Sequence, residues 1–209
     1  MRKDTCYFCG AEKTSMEHVP PKSFFPKELR QDLIRVPSCD KHNSKKSNLD
    51  EYFRTVFFGV SSSAIKNTKL RSVNKKIITS LSRNNGSNFF KVFNRKNMPL
   101  NEGVDMDRSK LDDFMISISR GIYFYEYEEI FNGKVEVIPF FIDDRDYPEE
   151  YKEIKDISIK VMKKEESYSR KKNKEVFFYS IQKSSRGYIF DFTFYNDIHI
   201  TAVLIAEEL

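Results

Sequence analysis

The chain has 209 residues, of which 39% are hydrophobic and 14% aromatic, enough apolar material for a real core and too much for wholesale disorder. Three cysteines are an odd number that cannot close a disulfide framework, and no apolar run reaches the length of a membrane span, so a soluble, cytoplasmic protein with no membrane partner is expected. Net charge is only +5, but residues 1–100 carry 20 Lys and Arg against 8 Asp and Glu, while residues 101–209 carry 16 against 23. A basic half joined to an acidic half points to a polyanion at the N-terminal portion, nucleic acid above all.

In chain order, MRKDTCYFCG offers no apolar run suited to a signal peptide. Cys6 and Cys9, followed by Gly10, predict a tight knuckle that presents two thiolates to one ion. Residues 14–19 predict a short strand that stops at Pro20-Pro21, because proline gives no ladder donor and disfavours helix at the residue before it. Phe24, Phe25 and Leu29 are expected to pack the following loop. Residues 33–36 predict a second short strand closed by Pro37. From about Ser44 the pattern turns helical: Asn48 and Glu51 read as a capping box, and Leu49, Tyr52, Phe53, Val56 and Phe57 form the apolar stripe.

A further helix is expected over 63–82, with Val73, Ile77, Ile78 and Leu81 at helical spacing. Asn84-Asn85-Gly86 signals a turn, 89–93 a strand, and the polar stretch 95–108 a domain junction. From Ser109 an amphipathic helix should run to about Ile130, apolar at Leu111, Phe114, Met115, Ile118 and Ile122 and ended by Asn132-Gly133. The period then changes to two, predicting strands over 135–142, 157–162, 176–182, 188–195 and 198–206, with a highly charged loop over 163–174. The fold class is thus α+β: a zinc-stabilised ββα unit (1–60), a helical and linker region (61–108), and an antiparallel sheet with one packed helix (109–209). The acidic C-terminal part is expected to orient substrate, dimerise or dock a partner protein.

Two constellations carry chemistry. Cys6, Cys9, Cys39 and His42 form two pairs whose x-x spacing lets one turn deliver both ligands, a donor set for tetrahedral zinc. Four protein ligands leave no open position, so this zinc should be structural. A redox role for Cys6 and Cys9 would leave Cys39 and His42 idle. The second set is Glu17, His18 and Asn43. A carboxylate and an amide oxygen make a hard, sparse site for Mg²⁺ or Mn²⁺, and neutral His18 is a natural base to draw a proton from water. Neighbours on a regular strand face opposite ways, so Glu17 and His18 serve one phosphate only if the backbone departs from strand geometry near the two prolines. Lys22, Lys41, Lys45, Lys46 and Arg54 are the expected phosphate contacts. Asp50 and Glu51 are further metal candidates, Glu51 being better explained by capping. His199 reads as a sheet residue, and Tyr123, Phe124, Tyr125 and Tyr127 as packing residues rather than base-stacking ones.

Taken together, EHVPPKSFFP and CDKHNSKKSN resemble the HNH endonuclease family with its ββα-metal fold, over about a quarter of the chain. The resemblance implies Glu17 and Asn43 as ligands of a catalytic divalent ion, His18 as general base, and Cys6, Cys9, Cys39 and His42 as zinc ligands. It also implies cleavage of nucleic acid, DNA in the first instance, to 5′-phosphate and 3′-hydroxyl ends. The sequence departs from the family in using Cys-x-x-His for the second zinc pair. It also lacks the middle asparagine, whose place falls near Ile34; Asp32 or backbone groups would have to brace the histidine loop instead.

Overall fold

Two short strands pair antiparallel at the start of the chain. In the computed structural model, residues 4–43, 47–82, 107–141, 149, 151–154, 156 and 173–206 are described. Strand β1 (Ser15–His18) lies against β2 (Arg35–Ser38), with Ser15 opposite Ser38 and His18 opposite Arg35. Pro37 does not close β2 but sits inside it, opposite Met16. Both strands of a two-stranded ribbon are edges, where a residue without an N–H is tolerated. The Pro37 carbonyl accepts the Tyr7 N–H at 2.8 Å, which joins the Cys6–Cys9 loop to the ribbon.

Ahead of the helix expected from Ser44 lies α1 (Asp40–Asn43), and α2 (Ser47–Val60) covers the expected stripe. The Cys39 carbonyl opens α1 by accepting the N–H groups of both His42 (3.0 Å) and Asn43 (2.9 Å). The apolar stripe of α2 is buried as its period requires: Phe53, Val56 and Phe57 are solvent-free, and Leu49 and Tyr52 pack at its margin. The side chain of Asn48 lies outside the described residues; Glu51 pairs with Arg54 at 3.4 Å. The single helix expected over 63–82 is broken into α3 (Ser62–Lys66) and α4 (Arg71–Ser82). The break is at Asn67, whose side chain accepts the Lys69 N–H and starts a 3-10 turn, the competition with helix that asparagine offers. Val73 and Ile77 are buried, whereas Ile78 is 55% exposed. The Leu81 side chain, the turn at Asn84-Asn85-Gly86, the strand expected at 89–93, the junction up to residue 106, the strand at 157–162 and the charged loop up to 172 all fall outside the described residues.

Helix α5 (Arg108–Tyr127) is capped by Asp107, whose carboxylate accepts the Lys110 N–H, and it ends where Glu128 turns left-handed at φ 56°. It therefore stops before Asn132-Gly133. Gly133 instead opens β3 (Gly133–Pro139), where a Cβ would collide with the Ile205 carbonyl and the Phe131 ring. β4 (Phe177–Ser184), β5 (Gly187–Phe194) and β6 (Ile198–Ala206) complete an antiparallel sheet in the order β3-β6-β5-β4. The β5–β6 loop turns through Tyr195 and Asn196, both at positive φ.

One buried cluster runs unbroken from Tyr7 to Leu204, and its centre is aromatic. Phe24, from the loop after β1, lies within 5.8 Å of Phe114 on α5 and 5.8 Å of Phe194 on β5. The Tyr195 hydroxyl donates to the Phe24 carbonyl at 3.1 Å. Asp197 then ties the sheet to α3, accepting from the Ser61 hydroxyl at 2.5 Å and the Ser63 N–H at 2.9 Å. The loop that follows His18 is thus anchored to the C-terminal sheet. No described helix is long and apolar enough to cross a membrane.

Candidate metal centre

Two backbone turns bring four donors together. In the first, Gly10 donates to the Cys6 carbonyl at 2.9 Å while Cys6 donates to Ala11 at 2.7 Å, with Gly10 at φ +74°. A side chain there would be strained, which explains the glycine after Cys9. In the second, the first turn of α1 lifts His42 over Cys39. The Thr14 hydroxyl clamps α1 to the ribbon through Asp40 at 2.5 Å.

The ligand atoms of Cys6, Cys9, Cys39 and His42 all lie within 4.8 Å of one another. Cys9 Sγ is 3.9 Å from Cys39 Sγ, and His42 Nδ1 is 3.6 Å from Cys6 Sγ and 3.3 Å from Cys39 Sγ. A zinc-type tetrahedron with bonds of about 2.3 Å to sulfur and 2.05 Å to nitrogen has edges of about 3.8 Å (S–S) and 3.6 Å (S–N). The group therefore has the dimensions to hold one metal ion, and all three cysteines are free thiols. Burial opposes ionisation of Cys6, but the backbone amides of Phe8, Cys9 and Cys39 point at its sulfur and bring it below its ordinary value. The His42 ring stacks on Phe8 at 4.4 Å, and the Arg120 guanidinium of α5 covers that Phe8 ring at 4.7 Å. This stack fixes the imidazole plane and was not visible in the sequence.

Next to this group, Glu17 and His18 line one small cleft together with Val19, Pro21, Asp50 and Ser117. The two are neighbours at the end of β1, His18 being its last residue, and both reach the cleft. Tyr7 is fully buried, and burial first, then the charges of Glu17, Cys6 and Asp50, raise its hydroxyl well above its ordinary pKa. His18 is held below its ordinary value by burial and then by Arg35, Lys22 and Arg30, so the ring favours the neutral form. Asn43 donates to the Ser15 hydroxyl at 2.8 Å, one position pair before Glu17 on the same strand face; it is not among the residues that line the cleft.

The remaining expected residues divide. Lys22 faces His18, Lys41 is exposed on α1, and Lys45 and Lys46 lie outside the described residues. Arg54 is turned inward to Glu51, its side chain only 12% exposed. Asp50, not Glu51, reaches the cleft. Sequence reasoning missed Arg35 and Arg30; the strand register, which sets Arg35 opposite His18, is the signal that identifies the first. Ile34 is buried, and its carbonyl accepts the Val19 N–H at 3.1 Å, so a backbone bond braces the histidine loop at the place of the missing asparagine. Asp32 lines a separate cleft with Val19, Pro20 and Phe25. His199 lies in β6 beside Thr193 (3.0 Å). Tyr123 and Phe124 are packing residues as expected, whereas Tyr125 and Tyr127 are 41% and 38% exposed.

Comparison with protein-family models, curated proteins and solved structures gives no match.

Proposed function

We propose that this chain is a metal-dependent nuclease of the HNH type that hydrolyses phosphodiester bonds inside nucleic acid, with DNA as the expected substrate. The observation that carries the reading is the convergence of Glu17 and His18 on one cleft, on a β-β-α segment whose two turns bring Cys6, Cys9, Cys39 and His42 together. Zinc is the ion these four suit, because three thiolates and an imidazole with tetrahedral edges match its preferences and leave no coordination position open. A hard divalent ion, Mg²⁺ or Mn²⁺, would be held by Glu17, with Asp50, which lines the same cleft, and Asn43 as the further oxygen donors this reading requires; when bound it would offset negative charge on the scissile phosphate.

The residues of the chain do the rest. Neutral His18 takes one proton of a water whose oxygen bonds to phosphorus, the bond from phosphorus to the 3′ oxygen breaks, that oxygen takes up a proton from solvent, and 5′-phosphate and 3′-hydroxyl ends result. Burial first, and then the positive charges of Arg35, Lys22 and Arg30, favour the neutral form of His18, and the same charges favour a phosphate beside it. The backbone bond from Val19 to Ile34 supports the reading where the family pattern is broken, since it supplies the bracing the absent asparagine would give. The test is cleavage of plasmid DNA and of structured RNA in Mg²⁺ or Mn²⁺, with EDTA controls. His18→Ala is expected to lose about 10²–10⁴-fold in rate. Equal nicking by wild type and variant would sink the proposal, and a wild type that binds but never cuts would leave a zinc-stabilised nucleic-acid-binding module in its place.

A further inference from the structure

We propose that the outward face of α3, α4 and the 3-10 turn between them (Thr68–Leu70) is a nucleic-acid surface made of none of the cleft residues, one that holds the phosphate backbone of a duplex. The inference deepens the nuclease reading, from which it takes nucleic acid as the polyanion. Between Glu51 and Glu102 the sequence holds ten Lys and Arg and no Asp or Glu, where the chain's overall acidic content would place about seven. In the described part of that stretch Leu70, Val73 and Ile77 turn into the core, while Lys66, Lys69, Arg71 and Lys75 are exposed. Among the described residues, Lys69 alone of these four has an acidic partner, Glu175 at 3.4 Å.

A solvated helix face ordinarily mixes both signs, so that charges three or four apart relieve one another. Here Arg71 and Lys75 stand four apart on α4 and repel, and the helix has no carboxylate to offset them. Its first turn holds no acid either, so the positive end of the helix dipole adds to the same field. A row of phosphates is the partner that relieves this charge. The exposed hydroxyls of Thr68 and Ser72 stand among the four cations as donors for phosphate oxygens. Residues 61–82 contain no aromatic side chain on which an unpaired base could stack, so the surface suits a duplex backbone better than a single strand. An anionic membrane would be drawn to the same charges, but holding it takes a continuous apolar face. The apolar side of α4 packs on the core, which leaves Ile65 and Ile78 as the large apolar residues exposed among the described residues of this face.

The experiment titrates the full chain with a fluorescent DNA duplex at several salt concentrations, without Mg²⁺ or Mn²⁺. It compares the triple variant Lys66→Gln, Arg71→Gln, Lys75→Gln with a control, Lys134→Gln, Lys183→Gln, Arg186→Gln, that loses the same charge from exposed positions of the C-terminal half. The surface variant is expected to keep its Tm, to bind all sequences more weakly alike, and to lower the slope of log affinity against log salt by about 3, about 1 for each contact. Its cleavage should show a raised KM with kcat kept. An unchanged slope overturns the inference and leaves the nuclease reading intact, as does an equal fall in the control, which would reduce the effect to net charge. So does a variant that loses binding to vesicles of phosphatidylserine and phosphatidylcholine while its duplex binding stays, which would assign the face to a membrane. A wild type whose duplex binding depends on these residues but which never cuts in Mn²⁺ supports this surface and removes the nuclease reading.

Discussion

Replacing Phe24 by alanine tests whether the metal-bearing segment and the C-terminal sheet fold as one unit. Phe24 is completely buried, and its ring is surrounded by those of Phe57 (6.2 Å), Phe114 (5.8 Å), Phe194 (5.8 Å) and Tyr195 (6.3 Å). These neighbours come from α2, α5, β5 and the turn after β5, so no single shift can fill the space left behind. Truncating a phenylalanine in such a site costs about 3–5 kcal/mol. For a domain of this size each kcal/mol lowers Tm by roughly 2–4 °C, which predicts a drop of about 10 °C. The bond from the Tyr195 hydroxyl goes to the Phe24 carbonyl and survives the change, so the loss measured is that of the side chain. Circular dichroism melting should be paired with release of zinc to a chromogenic chelator. Both transitions are expected to move down together. A sheet that melts at its original temperature while zinc release moves alone would refute the shared core, as would a shift of both under about 3 °C.

Cys39→Ser removes one of four donors; with structural zinc sites worth about 10–16 kcal/mol in total, zinc affinity should fall by about 100-fold or more in chelator competition, and unchanged affinity would dissolve the group. Arg35→Gln should lower the slope of log affinity against log salt for nucleic-acid binding by about 1 and weaken binding across sequences alike; an unaltered slope would remove Arg35 from the phosphate surface. His199 is held below its ordinary pKa by burial, only partly offset by Asp197 and Asp191. A histidine whose folded pKa is depressed contributes stability that is present above its unfolded value, about 6.5, and lost as pH falls below it. Denaturation midpoints should therefore decline more steeply below pH 6.5 in the wild type than in His199→Gln, and parallel curves would contradict the assignment.

The features legible in the sequence are those fixed by local spacing. Cys6-x-x-Cys9 and Cys39-x-x-His42 each span a single turn, and a turn is decided by the residues within it, so the donor group could be read directly. The hairpin strands of the C-terminal half were legible for the same reason, since alternation at Phe190, Phe192 and Phe194 is a property of one segment. What escaped was set by pairing between distant segments. Pro37 belongs to β2 because, among the described residues, the ribbon has no third strand to demand its missing N–H. Asn67 divides the 63–82 helix because a side chain that accepts the Lys69 N–H competes with the helix bond. Arg35 gains its position from register, and the stack of Arg120 on Phe8 on His42 joins residues from three separate stretches. Periodicity also put Ile78 on the buried stripe, but α4 is only partly covered and leaves that position in solvent.

The position of the His18 loop follows from constraints at both of its ends. On one side β1 is fixed by the ribbon and by α1, which the Cys39 carbonyl and the Thr14 to Asp40 bond hold in place. On the other side, just beyond Pro21, Phe24 and Phe25 enter the aromatic core and Arg30 donates to the Phe25 carbonyl at 3.1 Å. A loop tied down at one end would let His18 swing with the metal group, and its distance to any phosphate would vary. Tied at both, it can be loosened from either: by stripping the ion, which frees the turns around Cys6 and Cys39, or by opening the core at Phe24. The two perturbations differ in what they leave behind. Loss of the ion should release the β1–β2 ribbon while the sheet from β3 to β6 keeps its slow amide exchange, because Phe177, Phe192 and Phe194 pack on one another without help from the metal. If exchange in the sheet instead accelerates as much as in the ribbon once zinc is removed, the metal supports the whole chain and the aromatic core does not stand without it.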